Sequence, residues 1–275
     1  MRNERVYGFS EMAEKRTYGE EKMKTIVIFN QKGGVGKTST VVNLMTEFST
    51  VKKKRVLGID LDAQCNLTSF CGVREPKKSV LNWLLHTAKL DDVIVHTNYG
   101  DIIPAEEALQ LELLRFASIP AFVIRLRDLI NSIPTKKYDY IFIDCPPTVN
   151  QLTAAALVAA DYVLIPTEAE YFSAAGVGKI ADTIEQIKPL NPNLKVLGVL
   201  LVKYNPRRVL THALEERLVT ATNELLHCSV LNSRIRFTVD IPAAQATGIS
   251  ARAYKQSGNA AQDYAALADE IERRL

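Results

Sequence analysis

A chain of 275 residues with 47% hydrophobic and 24% charged side chains is a globular sequence, long enough for one large α/β domain and too apolar for wholesale disorder. Its formal net charge of +3 permits a local nucleic-acid patch without demanding one. No apolar run nears the roughly 20 residues that cross a bilayer, and the charge-rich stretch 1–22 lacks the apolar core of a signal peptide.

Residues 1–22 read as an N-terminal extension, with Ser10 placed to cap a short helix through Glu11–Lys15; residues 23–275 read as a single domain. The first strand, Thr25–Asn30, is followed by Gln31-Lys32-Gly33-Gly34-Val35-Gly36-Lys37-Thr38-Ser39 and a helix over Thr38–Ser49. A strand, a glycine loop and a helix N-terminus make a polyphosphate cradle. The glycines let successive N–H groups point inward, and the helix dipole favours the anion. Lys32, Gly33, Gly34, Val35, Gly36, Lys37, Thr38 and Ser39 are therefore candidate nucleotide contacts, with Lys37 on the β- and γ-phosphates and the Thr38 hydroxyl on Mg2+. Gln31 stands where the general G-x-x-x-x-G-K-[ST] pattern has its first glycine, and Lys32 adds a second cation at the loop entrance.

The second strand, Arg55–Asp60, runs into Asp60-Leu61-Asp62-Ala63-Gln64. Alternation puts the two carboxylates on one side, placed to serve a metal ion and an attacking water together. Helices follow at Ser79–His86, Glu106–Phe116 and Pro120–Ser132, with a weak strand signal at Ile102-Ile103. The strand Tyr138–Asp144 ends in Asp144-Cys145-Pro146-Pro147, which fits a magnesium-holding aspartate followed by a stiff turn. Helix Leu152–Ala159, strand Tyr162–Pro166, helix Ala174–Ile187, strand Lys195–Val202 and helix Val209–Leu226 continue the alternation. A weak strand at Val230–Ile235 and a last helix at Asn259–Arg274 close it. The strong strands are continuously apolar, as strands covered on both faces must be. The rhythm predicts a doubly wound, mostly parallel sheet with helices on both faces and ligands at the carboxyl ends of its strands. Cys65, Cys71, Cys145 and Cys228 have no metal-ligand spacing and read as reduced, packed thiols; the four histidines are scattered.

The run Lys32-Gly33-Gly34-Val35-Gly36-Lys37-Thr38 resembles the deviant phosphate loop of the ParA/MinD ATPases, and Gln31 is the form of the ParA and Soj branch. Asp60-x-Asp62-x-Gln64, Asp144-x-Pro146-Pro147, Pro166–Gly176, Gly198–Arg208 and Tyr254–Ala268 are similar to further segments of that family, so the resemblance spans about residues 23–275. It departs at Ala63, where the family has proline. What the resemblance implies is an ATPase that uses ATP and Mg2+, with Lys32, Lys37 and Asp62 as catalytic residues. Asp62 positions the water, Thr38 and Asp144 attend the metal, and Asp60 is a metal ligand or a structural neighbour. Lys32 crosses a two-fold interface to the partner's nucleotide, so ATP glues a homodimer. Arg236 and Thr238 occupy the purine segment, where the family has proline and asparagine.

The same resemblance implies a cytoplasmic, nucleoid-associated partition protein. Its ATP dimer binds nonspecific DNA, and a ParB-like activator stimulates its weak hydrolysis. Arg207 matches a DNA-contacting position, with Arg208 and Lys203 beside it, whereas Asp240 stands where Soj-like proteins carry another such arginine. A MinD-like membrane regulator would need a bulky, cationic C-terminal helix, and the tail Ala265–Leu275 is apolar-poor. A redox ATPase would need paired cluster cysteines at a dimer axis, which Cys145 lacks. The alternative readings are that MinD-like membrane-associated regulator and a ParA-like positioner of a cargo other than DNA.

Overall fold

The computed structural model describes residues 23–119, 121–168, 174–205 and 209–275. The strands are β1 (Lys24–Ile28), β2 (Val56–Asp60), β3 (Val95–Thr97), β4 (Gly100–Ile103), β5 (Tyr140–Asp144), β6 (Tyr162–Glu168), β7 (Lys195–Tyr204) and β8 (Val230–Arg236). They form one eight-stranded sheet in the order β3-β4-β2-β5-β1-β6-β7-β8. Every neighbouring pair is parallel except β3 with β4. The first helices are α1 (Lys37–Thr46), α2 (Asn66–Phe70), α3 (Val80–Leu84), α4 (Leu90–Val93), α5 (Leu109–Ala117) and α6 (Phe122–Asn131). The remainder are α7 (Gln151–Ala159), α8 (Ala174–Ile187), α9 (Val209–Leu226), α10 (Asp240–Ala246), α11 (Ala251–Tyr254) and α12 (Asn259–Arg274).

The doubly wound sheet expected from the apolar runs is present, and its two cores explain why those runs are continuous. Ile26, Ile28, Tyr140, Phe142 and Leu164 pack on one face with α1, α2, α11 and α12. Val27, Phe29, Ile141, Ile143, Val163 and Ile165 pack on the other with α3 and α5–α8. Alternate side chains of one strand thus enter opposite cores, and neither face tolerates a polar residue until the strand ends. The weak signals at Ile102-Ile103 and Val230–Ile235 are real strands; β3, α2, α4, α10 and α11 were not expected and are seven residues or shorter. The helix expected at Pro120–Ser132 spans Phe122–Asn131, with Pro120 outside the described residues. Asn150 starts α7 as an N-cap, its side chain accepting from the N–H groups of Leu152 and Thr153.

β1 lies between β5 and β6, so the chain winds in opposite directions on its two sides. That reversal opens a crevice at its carboxyl end, where the glycine loop falls. The C-terminal helix α12 is part of the domain, burying Ala260, Ala261, Tyr264, Leu267, Ala268 and Ile271. Its acids also cover the outer edge of β8: Glu270 accepts from the N–H groups of Asn232 and Ser233 (2.9 and 2.7 Å), and Asp263 from that of Arg236 (2.9 Å). Among the described residues no helix is long and apolar enough to cross a membrane.

α1 runs on into a π-helical turn, Glu47–Val51, whose first residue is buried. Both Glu47 oxygens accept from Arg252 in α11, at 2.6 and 2.7 Å, which anchors the far end of the loop-bearing helix. Arg252→Ala strands this carboxylate in the core and is expected to cost about 3 kcal/mol of stability. Urea unfolding measures it, and adding Glu47→Gln is expected to recover part of the loss.

Candidate functional site

The loop after β1 is bent by two glycines. Gly34 and Gly36 both have φ +75, a left-handed conformation that side chains with a Cβ resist, and Gly36 is the N-cap residue of α1. Asn30 ties the loop's start to β6, donating to the Pro166 carbonyl (2.8 Å) and accepting from the Lys32 N–H (2.9 Å). Gln31, at the position where a glycine is general, donates to the Lys179 carbonyl (3.0 Å) and the Thr183 hydroxyl (2.9 Å), fastening the loop to α8. Val35 is fully buried. Lys37 is buried and donates to the Lys32 carbonyl at 2.9 Å. Burial pushes its ammonium below the usual lysine value, while Asp144 and Asp62 pull it back up. Lys32 itself is exposed.

Two carboxylates meet at the next strand ends. Parallel pairing of β2 with β5 sets Asp60 directly beside Asp144, and pairing of β1 with β5 sets Asp144 beside Ile28. Both acids therefore point toward the α1 side. Thr38 at the start of α1 donates its hydroxyl to Asp144 Oδ2 at 2.6 Å. The other oxygen, Oδ1, is buried without a hydrogen-bond partner among the described residues. Burial, and then the neighbouring Asp60 charge, push the Asp144 carboxyl well above its usual range. A buried carboxylate with one orphan oxygen beside a threonine hydroxyl is a hard-oxygen donor pair that fits Mg2+, which takes one or two protein ligands and keeps waters and phosphate oxygens for the rest. In keeping with that sparse ligation, the described residues contain no group of three or more His, Cys, Asp or Glu side chains arranged to hold a metal.

Of the two places expected for Asp60, beside the metal or as a structural neighbour, its hydrogen bonds favour the second. Asp60 is fully buried, and its oxygens accept from the Thr68 N–H (2.9 Å), the Thr68 hydroxyl (2.7 Å) and the Asp62 N–H (3.0 Å). The carboxylate braces the turn into α2. Asp62, just past the strand, accepts from the Gln64 N–H at 3.0 Å and borders the open cleft.

That cleft, about 1000 Å³, brings together Gly33, Gly34, Gly36, Lys37, Thr38, Ser39 and Asp62 with Arg236 and Thr238 of the segment after β8. Arg236 contributes chiefly its backbone and stem, because its guanidinium is clamped on Asp263 of α12, with Nη2 to Oδ1 at 2.6 Å. Thr238 accepts from the Asp240 N–H at 3.1 Å. The wall formed by α10 was not legible in the sequence; its Gln245 bonds the Ser39 hydroxyl.

Lys203, expected on a DNA-contacting patch, lies instead at the mouth of this cleft. Its half-exposed side chain turns toward the loop, the ammonium bonding the Gly34 carbonyl at 3.0 Å and Glu168 at 2.7 Å. Arg207 and Arg208 lie outside the described residues. The four cysteines are free thiols; burial pushes Cys71 up to about 12.

A protein-family profile described as an AAA domain matches residues 23–196. The chain is similar to the chromosome-partitioning ATPase Soj of Thermus thermophilus, 32% identical over 92% of this chain and 97% of that one. It is similar to the chromosome partitioning protein ParA of Caulobacter vibrioides, 32% identical over 90% of this chain and 94% of the other. A solved structure titled cobyrinic acid a,c-diamide synthase, from Mycobacterium smegmatis with bound ATP analogue and magnesium, superposes with a TM-score of 0.80 at 29% identity. That match covers 91% of this chain and 94% of that one.

The Thr68 hydroxyl both donates to Asp60 and accepts from the Ala105 N–H at 2.8 Å. Thr68→Val leaves two buried groups short of a partner and is expected to cost about 3 kcal/mol in denaturant unfolding. Thr68→Ser, which keeps the hydroxyl, is expected to lose no more than about half of that.

Proposed function

The chain belongs to the AAA-domain family that includes the partition ATPases Soj and ParA, and on that premise we propose that residues 23–275 bind and hydrolyse Mg2+-ATP as a dimer that holds DNA. The observation that carries the nucleotide reading is the convergence of Lys37, Thr38 and the half-satisfied Asp144 beneath a loop bent by Gly34 and Gly36. Backbone N–H groups of the loop and the start of α1 take the phosphates, and Lys37 supplies the cation in cis. Thr38 and Asp144 would hold Mg2+, which when bound neutralises phosphate charge.

Hydrolysis by such a site is positioning and electrostatics. Asp62, at the cleft edge, orients the attacking water. Lys32 is exposed where Lys37 is buried, a placement that suits a cation offered to the nucleotide of a second copy. Charge that builds on the bridging oxygens in the transition state is then met from both protomers. The purine lies against the Arg236–Thr238 segment, contacted by backbone more than by the clamped guanidinium. DNA is gripped through phosphates by Arg207 and Arg208, doubled by dimerisation. A ParB-like protein stimulates turnover, and the dimer acts in the cytoplasm on the nucleoid.

Asp62→Ala is expected to keep ATP affinity while turnover falls about 100-fold or more, read in a phosphate-release assay. Lys32→Ala is expected to bind ATP as a monomer and to lose the ATP-dependent dimer in light scattering. DNA binding compared with ATP, with ADP and without nucleotide tests the biological reading. Only the ATP form is expected to bind, without sequence preference. For about four phosphate contacts its affinity should drop about 100-fold between 50 and 200 mM salt. Arg207→Glu and Arg208→Glu are expected to abolish that binding with the dimer intact. An ATP dimer that ignores DNA at low salt would shift the reading to a positioner of another cargo.

A further inference from the structure

The penultimate residue of β7, Lys203, is held in a backbone conformation that lysine disfavours. Lys203 has φ +50, in the left-handed region where any residue with a Cβ meets steric resistance. Lys53, Cys65, His86 and His227 share the conformation, so the strain alone assigns nothing; what distinguishes Lys203 is where its side chain goes. Here the side chain is aimed at the glycine loop: its ammonium bonds the Gly34 carbonyl at 3.0 Å and the Glu168 carboxylate at 2.7 Å. Glu168 is the last residue of β6, level with Val202 in β7, so two adjacent strand ends reach the middle of the loop together. Lys203 lines the same cleft as Lys37 and Thr38.

We propose that Lys203 is a positioning residue for the phosphate loop, acting through the Gly34 carbonyl to hold the loop in the shape that accepts a nucleoside di- or triphosphate. The proposal rests on the nucleotide-binding reading above. The described chain has no cis peptide bonds, so the Val35 N–H lies opposite the Gly34 oxygen; fixing one fixes the direction of the other. Loop N–H groups are what a phosphate cradle presents. With Lys37 on the Lys32 carbonyl and Lys203 on the Gly34 carbonyl, the loop is gripped on both sides of Gly33. Glu168 holds the ammonium on the loop's backbone and offsets its charge, which separates this lysine from Lys37. A strap that shapes the loop acts on ground-state binding of every phosphate chain the loop holds, so ADP and ATP should feel it alike.

The test is calorimetric titration of ADP and a non-hydrolysable ATP analogue, with steady-state ATPase kinetics, on the full chain. Lys203→Gly relieves the strain at φ +50 while removing the whole side chain, and Lys203→Met keeps the stem while removing the ammonium, so a loss shared by both traces to the ammonium and not to the backbone. Lys203→Gly is expected to bind both nucleotides about tenfold more weakly and to raise KM about tenfold, with kcat falling less than twofold. Lys203→Met should behave the same way in affinity, and Lys203→Arg should restore binding to within about threefold. Affinities of Lys203→Gly and Lys203→Met within twofold of the natural protein would overturn the proposal. So would a loss confined to kcat, or one seen with ATP and not ADP. A natural protein that binds neither nucleotide would instead overturn the nucleotide reading itself, and this inference with it.

Discussion

Pairing β2 against β5 in parallel register forces two aspartates, Asp60 and Asp144, side by side into a place without water, and the surroundings of the cleft are arranged to make this tolerable. Two adjacent buried carboxylates repel each other, and each is desolvated. Asp60 is satisfied from within by Thr68 and by the backbone of Asp62. Among the described residues, Asp144 receives the Thr38 hydroxyl and the nearby Lys37 charge, and one of its oxygens is unmatched. The two acids thus differ in what they have left: Asp60 is taken up by the turn before α2, whereas Asp144 keeps an unmatched oxygen. Because the strands are apolar on both faces, this chemistry has nowhere to go except the strand ends.

Much of this was legible in the residues. Five continuous apolar runs announced the central strands, and the spacing of Gly33, Gly34, Gly36, Lys37 and Thr38 announced the loop, because each rests on a local rule of backbone geometry. What escaped was set by partners far along the chain. Even at eight residues' separation, the bonds from Thr68 that occupy Asp60 have no local signal, because Thr68 sits on a five-residue helix without a periodic signature. Arg236 looks available for a ligand until Asp263 of α12 is brought beneath it. Lys203 sits four residues before Arg207 and reads as a member of a basic cluster. A single left-handed residue at the end of β7 turns it back onto the loop, and no composition rule reports that turn.

Three lysines around one loop show how environment divides a single chemistry. Lys37 is buried and depressed by desolvation, so its charge is strongest where a phosphate would replace the missing water. Lys32 is exposed and its pull in water is correspondingly weak, which makes it suited to act where a second surface excludes solvent from it. Lys203 is half-exposed and shared between a carbonyl and a carboxylate, so it contributes geometry more than field. Their separation follows from backbone placement: the loop's outer start, the first turn of α1 and the end of β7.

The acids of α12 that cover β8 bear on how copies of this chain can associate. An edge strand normally offers a row of free N–H groups to any other strand. Here Glu270 and Asp263 have already claimed those of Asn232, Ser233 and Arg236. At the opposite edge, β3 has three residues, too short a template to recruit a neighbour. Both edges thus offer an incoming strand little to pair with, which favours contacts through loops and helices, contacts that part without unzipping a hydrogen-bonded ladder.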